Sequence, residues 1–422
     1  MFTLPDRFEF LSDAWIDEAR RFLEKAAEQR RAELAPFSLS ERFADAPPHL
    51  QLPDDAGAWT ARYDGAAMTV ARGFDPGADV VVEGDYQAAL AGGQFIGMLA
   101  PGAMKAMRRE LRAMHGADGA PRMKGRIENP AAGEIIALLH DHLGRRTVEN
   151  PDLAHRAARQ GLSGKIREME EQGYTVIERA ISPEFADEVR AATLRALLPH
   201  QSFSMNWMLY HGREFEQLIQ NPLLMTLVDA SLGRGAVIAS FSSIKKGPGA
   251  GVIPMHTDYA HVPEPFPEFA LTGVGVWALE DWTVAAGPTW IVPGSHKQRR
   301  NPRPGEGTNE GVPIEMPKGS VVFFTHGVWH WQGDRTEPGD RVTLHAHFNR
   351  GILRSLEPKK TDVQMLHRNS PRLGEMLGED DWFDKLSAQG RDYGRFTYMN
   401  KLHAFTEERK RAILAEGQSA GH

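Results

Sequence analysis

A chain of 422 residues is longer than one hydrophobic core usually organises, so two domains, or one enlarged domain, are the starting expectation. Its 41% hydrophobic and 25% charged residues suit a folded globular protein and exclude a disordered or fibrous one. The net charge of −7, without any long run of Lys or Arg, argues against nucleic acid as a partner; the absence of cysteine excludes disulfides, thiolate metal sites and a Cys nucleophile. Any metal must therefore be held by His and carboxylate.

The first residues, MFTLPDRFEFLSD, lack a basic segment followed by an apolar run, and nowhere do eighteen apolar residues follow one another. Cytoplasmic residence without stable membrane insertion is the expectation. A helix is predicted around Leu11, Trp15, Ala19, Phe22 and Leu23, with Ser12 and Asp13 as candidate caps. Short strands are predicted over 49–84, in HLQLPD, AWTARYDG, AAMTVARG and ADVVVEG, because Gly and Asp-Gly breaks separate them. A helical stretch from Tyr86 to Met114 follows. His140 and His142 fall in a predicted helix where positions i and i+2 face apart, which makes them surface histidines rather than a cluster. Gly92 and Gly93 lack the Lys and Ser or Thr of a phosphate loop.

The polar stretch GRRTVENPDLAHRAARQG carries no strand-like apolar stripe, which predicts a boundary: a first domain over 1–145 and a linker over 146–164. A second domain then spans 165–358, and 359–422 form a helical extension whose Trp382, Phe383, Tyr393, Phe396 and Tyr398 dock on the body. The second domain opens with a strand, YTVIERAI, and a helix started by Ser182 and Pro183. Its later apolar runs, AVIASFSSI, LTGVGVWALE, GPTWIVPG, GSVVFFT and RVTLHAHFN, lie between Gly and Pro breaks and predict a sandwich or barrel.

The chemistry concentrates there. In IPMHTDYAH, His256 and Asp258 stand two residues apart, so in an extended segment both side chains emerge on one face. A third ligand would complete a 2-His-1-carboxylate triad with open positions, and His326, His330, His345 and His347 are the candidates. The strand beginning at Arg341 alternates polar residues: Arg341, Thr343, His345, His347 and Asn349. A polar face in a small sandwich lines a cavity, an interface or solvent. Arg341 is either a guanidinium fork that pairs with a carboxylate or one half of a surface ion pair.

With these motifs in order, the region from about 165 to 355 resembles the phytanoyl-CoA dioxygenase family of iron and 2-oxoglutarate oxygenases: HTD at 256–258, GPTWIVPGSHK at 287–297, and GSVVFFTHGVWH. The resemblance implies an α+β chain whose C-terminal part is a double-stranded β-helix of jelly-roll, cupin-like form with flanking helices. It implies Fe(II) on His256, Asp258 and His330, 2-oxoglutarate as cosubstrate and O2 as oxidant. Arg341, eleven residues beyond His330, takes the oxoglutarate-binding position, and Trp277 that of an aromatic lining the cosubstrate pocket. Gln332 replaces a Ser common in relatives; Lys245 and Lys246 both match a basic position before HTD, with Lys246 taken as the cosubstrate contact. Tyr259, His261, Trp207 and His345 are the expected substrate contacts. Asp258 disfavours halogenation, since halogenating relatives carry a small residue there.

Residues 8–125 are similar in layout to the sterol carrier protein type 2 fold, through FLSDAWIDEAR, ADVVVEGDYQAALAGG and MKAMRRELRAM. That implies a smaller α+β domain with a five-stranded sheet around an apolar tunnel; a structural or dimerisation domain is the alternative, and assembly into a homo-oligomer stays open. The expected function is hydroxylation of an unactivated C–H bond in a hydrophobic small molecule or its conjugate, with 2-oxoglutarate decarboxylated to succinate. Desaturation, epimerisation or cyclisation by the same cofactor chemistry is one alternative, and a catalytically silent lipid-binding protein is another.

Overall fold

The computed structural model describes residues 8–416 apart from 48–49, 53–55, 116–119, 149–151, 201, 260, 326, 358–361, 379–385, 388–389, 392–402 and 405. The chain divides into two compact units, one of residues 1–151 with 361–374 and one of residues 152–360 with 375–422. Among the described residues no helix is long and apolar enough to cross a membrane. The five tail aromatics expected to dock, and His326, lie outside the described residues.

In the first unit, helix α1 (Asp13–Gln29) starts where expected: the Ser12 hydroxyl accepts the Trp15 N–H at 3.2 Å, satisfying one of the donors a helix start leaves free. Its buried residues Trp15, Ile16, Ala19, Leu23 and Ala27 make one face, which packs into the unit's core. Strands β1 (Phe37–Ala44), β2 (Ala56–Tyr63), β3 (Met68–Arg72) and β4 (Val80–Asp85) follow. Helices α2 (Tyr86–Gly93) and α3 (Ala103–His115), strand β5 (Arg122–Gly125) and helix α4 (Pro130–Gly144) complete the unit. The five strands form one sheet in the order β3-β2-β1-β4-β5, with β1 and β4 parallel.

Two expectations fail here. The sheet's first strand in chain order is β1, whose Phe37, Leu39 and Phe43 alternate into the core, and not HLQLPD; Gln51 and Leu52 are outside any strand. His140 is not a surface histidine: its Nε2 is buried without a hydrogen-bond partner, whereas His142 Nε2 lies 2.7 Å from Glu18.

The second unit begins inside the expected linker. Helix α5 (Leu153–Arg159), capped by Asp152, carries Arg156, whose guanidinium donates to buried Asp229 at 2.7 Å, so this segment belongs to the body. Helix α6 (Ser163–Gln172) ends at Gly173, whose φ of 84° is left-handed; a Cβ there would stand 2.4 Å from Val328, so only glycine fits. Strand β6 (Tyr174–Ile177) and helix α7 (Pro183–Leu197) come next, with the Ser182 hydroxyl accepting the Phe185 N–H. Strand β7 (Ser204–Met205) and helices α8 (Arg213–Ile219) and α9 (Pro222–Leu232) lead to β8 (Val237–Lys246). Then come β9 (Ile253–His256), β10 (Thr272–Ala278), β11 (Thr289–Ile291), β12 (Val312–Pro313), β13 (Val321–Thr325), β14 (His330–Gln332) and β15 (Arg341–Asn349).

These strands form a six-stranded sheet, β6-β13-β10-β15-β8-β7, and a four-stranded sheet, β9-β14-β11-β12. From β8 to β11, and again from β12 to β15, successive strands switch sheets, which is the winding of a jelly roll. Val274, Val276, Val322 and Phe324 of the first sheet and Ile291 of the second share one core with Val328, Ile314 and Met316. Gly275 and Trp277 point to the other face of the first sheet; a Cβ on Gly275 would press Leu224 of α9 at 2.8 Å.

Candidate metal centre

The second sheet brings the triad together. Strands β9 and β14 pair antiparallel with His256 opposite His330, and the two imidazole rings lie 4.3 Å apart. Asp258 is not on the strand, which stops at His256. Thr257 makes the turn: its hydroxyl donates to Asn301 at 2.6 Å and accepts the Tyr259 N–H at 3.3 Å. The turn sets an Asp258 carboxylate oxygen 3.5 Å from His256 Nε2 and 3.7 Å from His330 Nε2. One ligand atom from each of the three residues falls within 4.8 Å of the others, the spacing that a single ion needs. His345 and His347, also considered as the third ligand, are not in this group.

The donor set fits a divalent cation in its protonation as well as its spacing. His256 Nδ1 lies 2.7 Å from the Pro254 carbonyl and His330 Nδ1 lies 3.0 Å from the Val328 carbonyl. A carbonyl only accepts, so each Nδ1 carries the proton and each Nε2 keeps its lone pair for a metal. His330 is buried and its pKa is lowered, chiefly by loss of water; His256 is half-exposed and its pKa is raised, chiefly by the Asp258 carboxylate. The site thus opens to solvent on the His256 side, where Val252 and Ile253 are exposed apolar neighbours.

Facing it, strand β15 directs Arg341, Thr343, His345 and His347 to the inner side of the first sheet. Arg341 is 1% exposed, and its Nε, Nη1 and Nη2 are all without a hydrogen-bond partner. Arg335 nearby shows how a buried guanidinium is ordinarily satisfied: it donates to the carbonyls of Gly339, Ala286 and Pro338 at 2.8, 3.4 and 3.0 Å. Arg341 instead lies over the Trp282 ring, 5.2 Å from its centroid. Burial lowers its pKa to about 10, so it remains a cation at neutral pH. Leaving such a fork unpaired inside a protein costs several kcal/mol, roughly the desolvation of one ion.

Other polar atoms gather on the same side. Lys246 sits opposite Arg341 across the β8–β15 ladder, is buried, and donates from Nζ to the Gly333 carbonyl at 2.8 Å. Lys245, its neighbour in the strand, points the other way and reaches Asp340 at 3.7 Å. Gln332, on the same face of β14 as His330, is buried with its Oε1 unpartnered. His345 donates to or accepts from Thr343 at 3.0 Å, and its pKa falls to about 3, first through burial and then through the charges of His347 and Arg341. It also feels the charges of Asp258 and His330.

Four expected contacts are placed elsewhere. Trp277 pairs with Leu344, on the opposite face of the sheet from Arg341, and is fully buried there; Trp282, just beyond the end of β10, is the aromatic against the guanidinium. Tyr259 is 3% exposed and its hydroxyl is taken up by the N–H groups of Leu271, at 2.6 Å, and Thr272, so it ties a loop together. His261 lies on the surface. Trp207, half-exposed with a φ of 62°, is held by its own N–H on Glu357 at 3.1 Å, with its ring at the surface. Sequence reasoning missed Trp282 because it follows the strand in a loop, where no periodicity assigns a side.

The jelly roll thus presents two imidazoles and one carboxylate on one sheet and a buried guanidinium without a hydrogen-bond partner on the other. Residues 169–341 match the family described as phytanoyl-CoA dioxygenase, a span that contains all three triad residues and ends on Arg341. This match and the His-Asp-His group support an oxidoreductase that uses Fe(II) and 2-oxoglutarate. Uncharacterised proteins of Mycobacterium bovis and Mycobacterium tuberculosis are each 24% identical over 156 residues, covering 35% of this chain and 55% of theirs. The chain thus spans about half the length of the curated relatives it matches. Among solved structures, the non-haem alpha-ketoglutarate dependent carbocyclase SnoK of nogalamycin biosynthesis is 19% identical, with a TM-score of 0.39, over 47% of this chain and 94% of its own. HygX of Streptomyces hygroscopicus, solved with nickel and 2-oxoglutarate, is 14% identical, with a TM-score of 0.39, over 44% of this chain and 86% of its own.

Proposed function

We propose that the protein is an Fe(II)- and 2-oxoglutarate-dependent dioxygenase that hydroxylates an unactivated C–H bond of a hydrophobic small molecule or its conjugate. The observation that carries this reading is Arg341: a buried, protonated guanidinium with three unpartnered nitrogens, on the strand facing a preformed triad. Its missing acceptor is best supplied by a carboxylate, which a guanidinium fork engages through two parallel hydrogen bonds. A dicarboxylic oxoacid can place its distal carboxylate there.

Each residue then has a task. His256 and His330 present Nε2 of neutral imidazoles, and Asp258 supplies a negative charge that offsets part of the cation's. Lys246 adds positive potential beside Arg341; the Gly333 carbonyl anchors one of its three N–H donors and leaves the others for the cosubstrate. Gln332 offers a hydrogen bond to the cosubstrate in place of a Ser. Val276, Phe324 and the Trp282 ring keep water from the deep side. When bound, iron(II) supplies the redox chemistry that couples decarboxylation of the oxoacid to removal of hydrogen from a C–H bond. The apolar rim of Val252 and Ile253 on the open side favours a hydrophobic substrate.

The test is an anaerobic titration of the metal-free protein with Fe(II) and then 2-oxoglutarate, followed by the visible metal-to-ligand charge-transfer band, with Asp258→Ala as control. A saturable band in the wild type, lost in the control, is expected. Bound iron without a band would overturn the assignment of Arg341. Product mass set against succinate yield separates hydroxylation, which adds one oxygen, from desaturation, epimerisation and ring closure.

A further inference from the structure

The inner face of the six-stranded sheet changes character across its width. On β10 and β13 that face carries Val274, Val276, Val322 and Phe324, which belong to the core between the sheets. On β8, two strands away, the residues that alternate with Lys246 onto the same face are Ile244, Ser242 and Ser240. They stand opposite Thr343, His345 and His347 of β15. Core-facing positions of a sandwich are ordinarily apolar, so two serines and two histidines in adjacent rows call for a polar occupant. The patch lies on the side of the triad, since His345 feels the charges of Asp258 and His330.

Its hydrogen-bonding capacity is largely unspent. Ser240 and Ser242 are half-buried, and among the described residues neither hydroxyl has a hydrogen-bond partner. The Thr343 hydroxyl lies 3.4 Å from the Ile244 carbonyl, which can only accept, and 3.0 Å from His345 Nε2. Its single proton goes to the carbonyl, so it accepts from the imidazole: Nε2 carries the His345 proton and Nδ1 keeps a lone pair. Among the described residues nothing donates to that Nδ1. Ser242 stands directly across the ladder from His345, close enough for one small group to touch both. The charged groups nearby are otherwise engaged: Asp258 in the triad, Arg341 and Lys246 with the cosubstrate, and Glu357 with the N–H groups of Phe241 and Trp207 at 2.6 and 3.1 Å. An uncharged group that donates a hydrogen bond is what the patch lacks.

We propose that Ser240, Ser242 and His345 select the substrate by its hydroxyl groups: one hydroxyl donates to His345 Nδ1, and a neighbouring one bonds to the serines. The inference rests on the oxygenase reading above and narrows its substrate to an apolar molecule that bears hydroxyls beside the reacting carbon. The cosubstrate does not need these residues. Ser242 and His345 stand four residues beyond Lys246 and Arg341, about 13 Å of strand, which exceeds the length of a five-carbon diacid anchored at the guanidinium. An ether at the same place only accepts, and it would leave Nδ1 without a donor.

The test uses the full chain loaded anaerobically with Fe(II) and 2-oxoglutarate, titrated with octane-1,2-diol or with 1,2-dimethoxyoctane, which has the same apolar body and no donor. A molecule seated beside the metal perturbs the charge-transfer band, and the perturbation gives its affinity. The diol is expected to bind at least about tenfold more tightly than the diether, the ratio that the hydrogen bonds it alone donates supply. Ser242→Ala and His345→Phe should each weaken the diol by about fivefold and leave the diether as it was, with the thermal midpoint and the oxoglutarate titration of the wild type. Ser242→Ala removes a single oxygen, so it carries the test if His345→Phe does not fold. A band that forms but ignores the diol, or answers diol and diether alike, would overturn the inference, as would unchanged diol affinity in Ser242→Ala. Failure of the band to form at all would instead overturn the oxoglutarate reading, and this inference with it.

Discussion

At the scale of residues, the site rests on which polar atoms are satisfied within the protein and which are not. Both triad histidines spend Nδ1 on a carbonyl two residues earlier, so their tautomers are fixed before any metal arrives. Replacing His256, Asp258 or His330 with Ala should each lower Fe(II) affinity by at least about tenfold, the effect of losing one of three protein ligands; equilibrium dialysis with metal analysis reads it directly. A variant that binds iron as the wild type does would remove its residue from the ligand set. Arg341 calls for a different readout. Arg341→Ala and Arg341→Lys should leave Fe(II) affinity unchanged and weaken 2-oxoglutarate, by about 2–3 kcal/mol for Ala and less for Lys, which supplies a charge without the fork. The charge-transfer band at graded oxoglutarate concentrations measures both. Equal oxoglutarate affinity across wild type and variants would exclude the role.

At the scale of elements, most of the second unit could be read in the sequence because its strands are short apolar runs between Gly and Pro, and because a helix start such as Ser182-Pro183 is a local event. His256 and Asp258 were legible as candidate ligands from the two-residue spacing in HTD, whereas His330 was singled out among four histidines only through the family resemblance. What was not legible is anything set by register. Whether Trp277 faces Arg341 depends on its partner in the adjacent strand, Leu344, and a shift of one residue reverses every side chain. Lys245 and Lys246 were ambiguous for the same reason. The strand Phe37–Ala44 was overlooked because Glu41 interrupts the apolar alternation of Phe37, Leu39 and Phe43, and its polar residues are each taken up within the unit: Ser38 bonds to Asp79, Ser40 to Thr60, and Glu41 to Trp59. The two tryptophans give a paired prediction. Trp282→Leu should weaken 2-oxoglutarate binding severalfold, through loss of a cation–π contact of about 1–2 kcal/mol, with a modest change in stability. Trp277→Leu should cost about 2–4 kcal/mol of stability by opening a void in the core and leave oxoglutarate affinity alone. Denaturant unfolding set beside oxoglutarate titration distinguishes them, and the reverse pattern would return Trp277 to the pocket.

At the scale of the whole molecule, the two compact units can be probed separately through their effects on stability. Metal and cosubstrate bind folded protein only, so they add stability where their ligands sit, by about 2.7 kcal/mol at a hundred times the dissociation constant. With Ni(II) as an inert stand-in for iron and 2-oxoglutarate added, hydrogen exchange should slow around residues 253–258 and 330–349 and stay unchanged in the sheet of the first unit. The proton acts on that first unit. The Glu41 pKa rises from 4.5 to about 7 on folding, so the folded state holds this proton more tightly than the unfolded chain. Below pH 4.5 both states are protonated and the residue is neutral in its effect; as pH climbs to about 7 the unfolded chain ionises first, and stability is lost across that window. Glu41→Gln keeps the Trp59 bond and removes the ionisation, so at pH 8 it should be more stable than the wild type by on the order of 2 kcal/mol, with the two converging near pH 4.5. Hydrogen exchange at pH 8 should be slower in the variant across Phe37–Ala44 and Ala56–Tyr63 and the same as the wild type across Val237–Lys246. A variant no more stable than the wild type at pH 8 would mean that Glu41 already has a counter-charge or ready access to water.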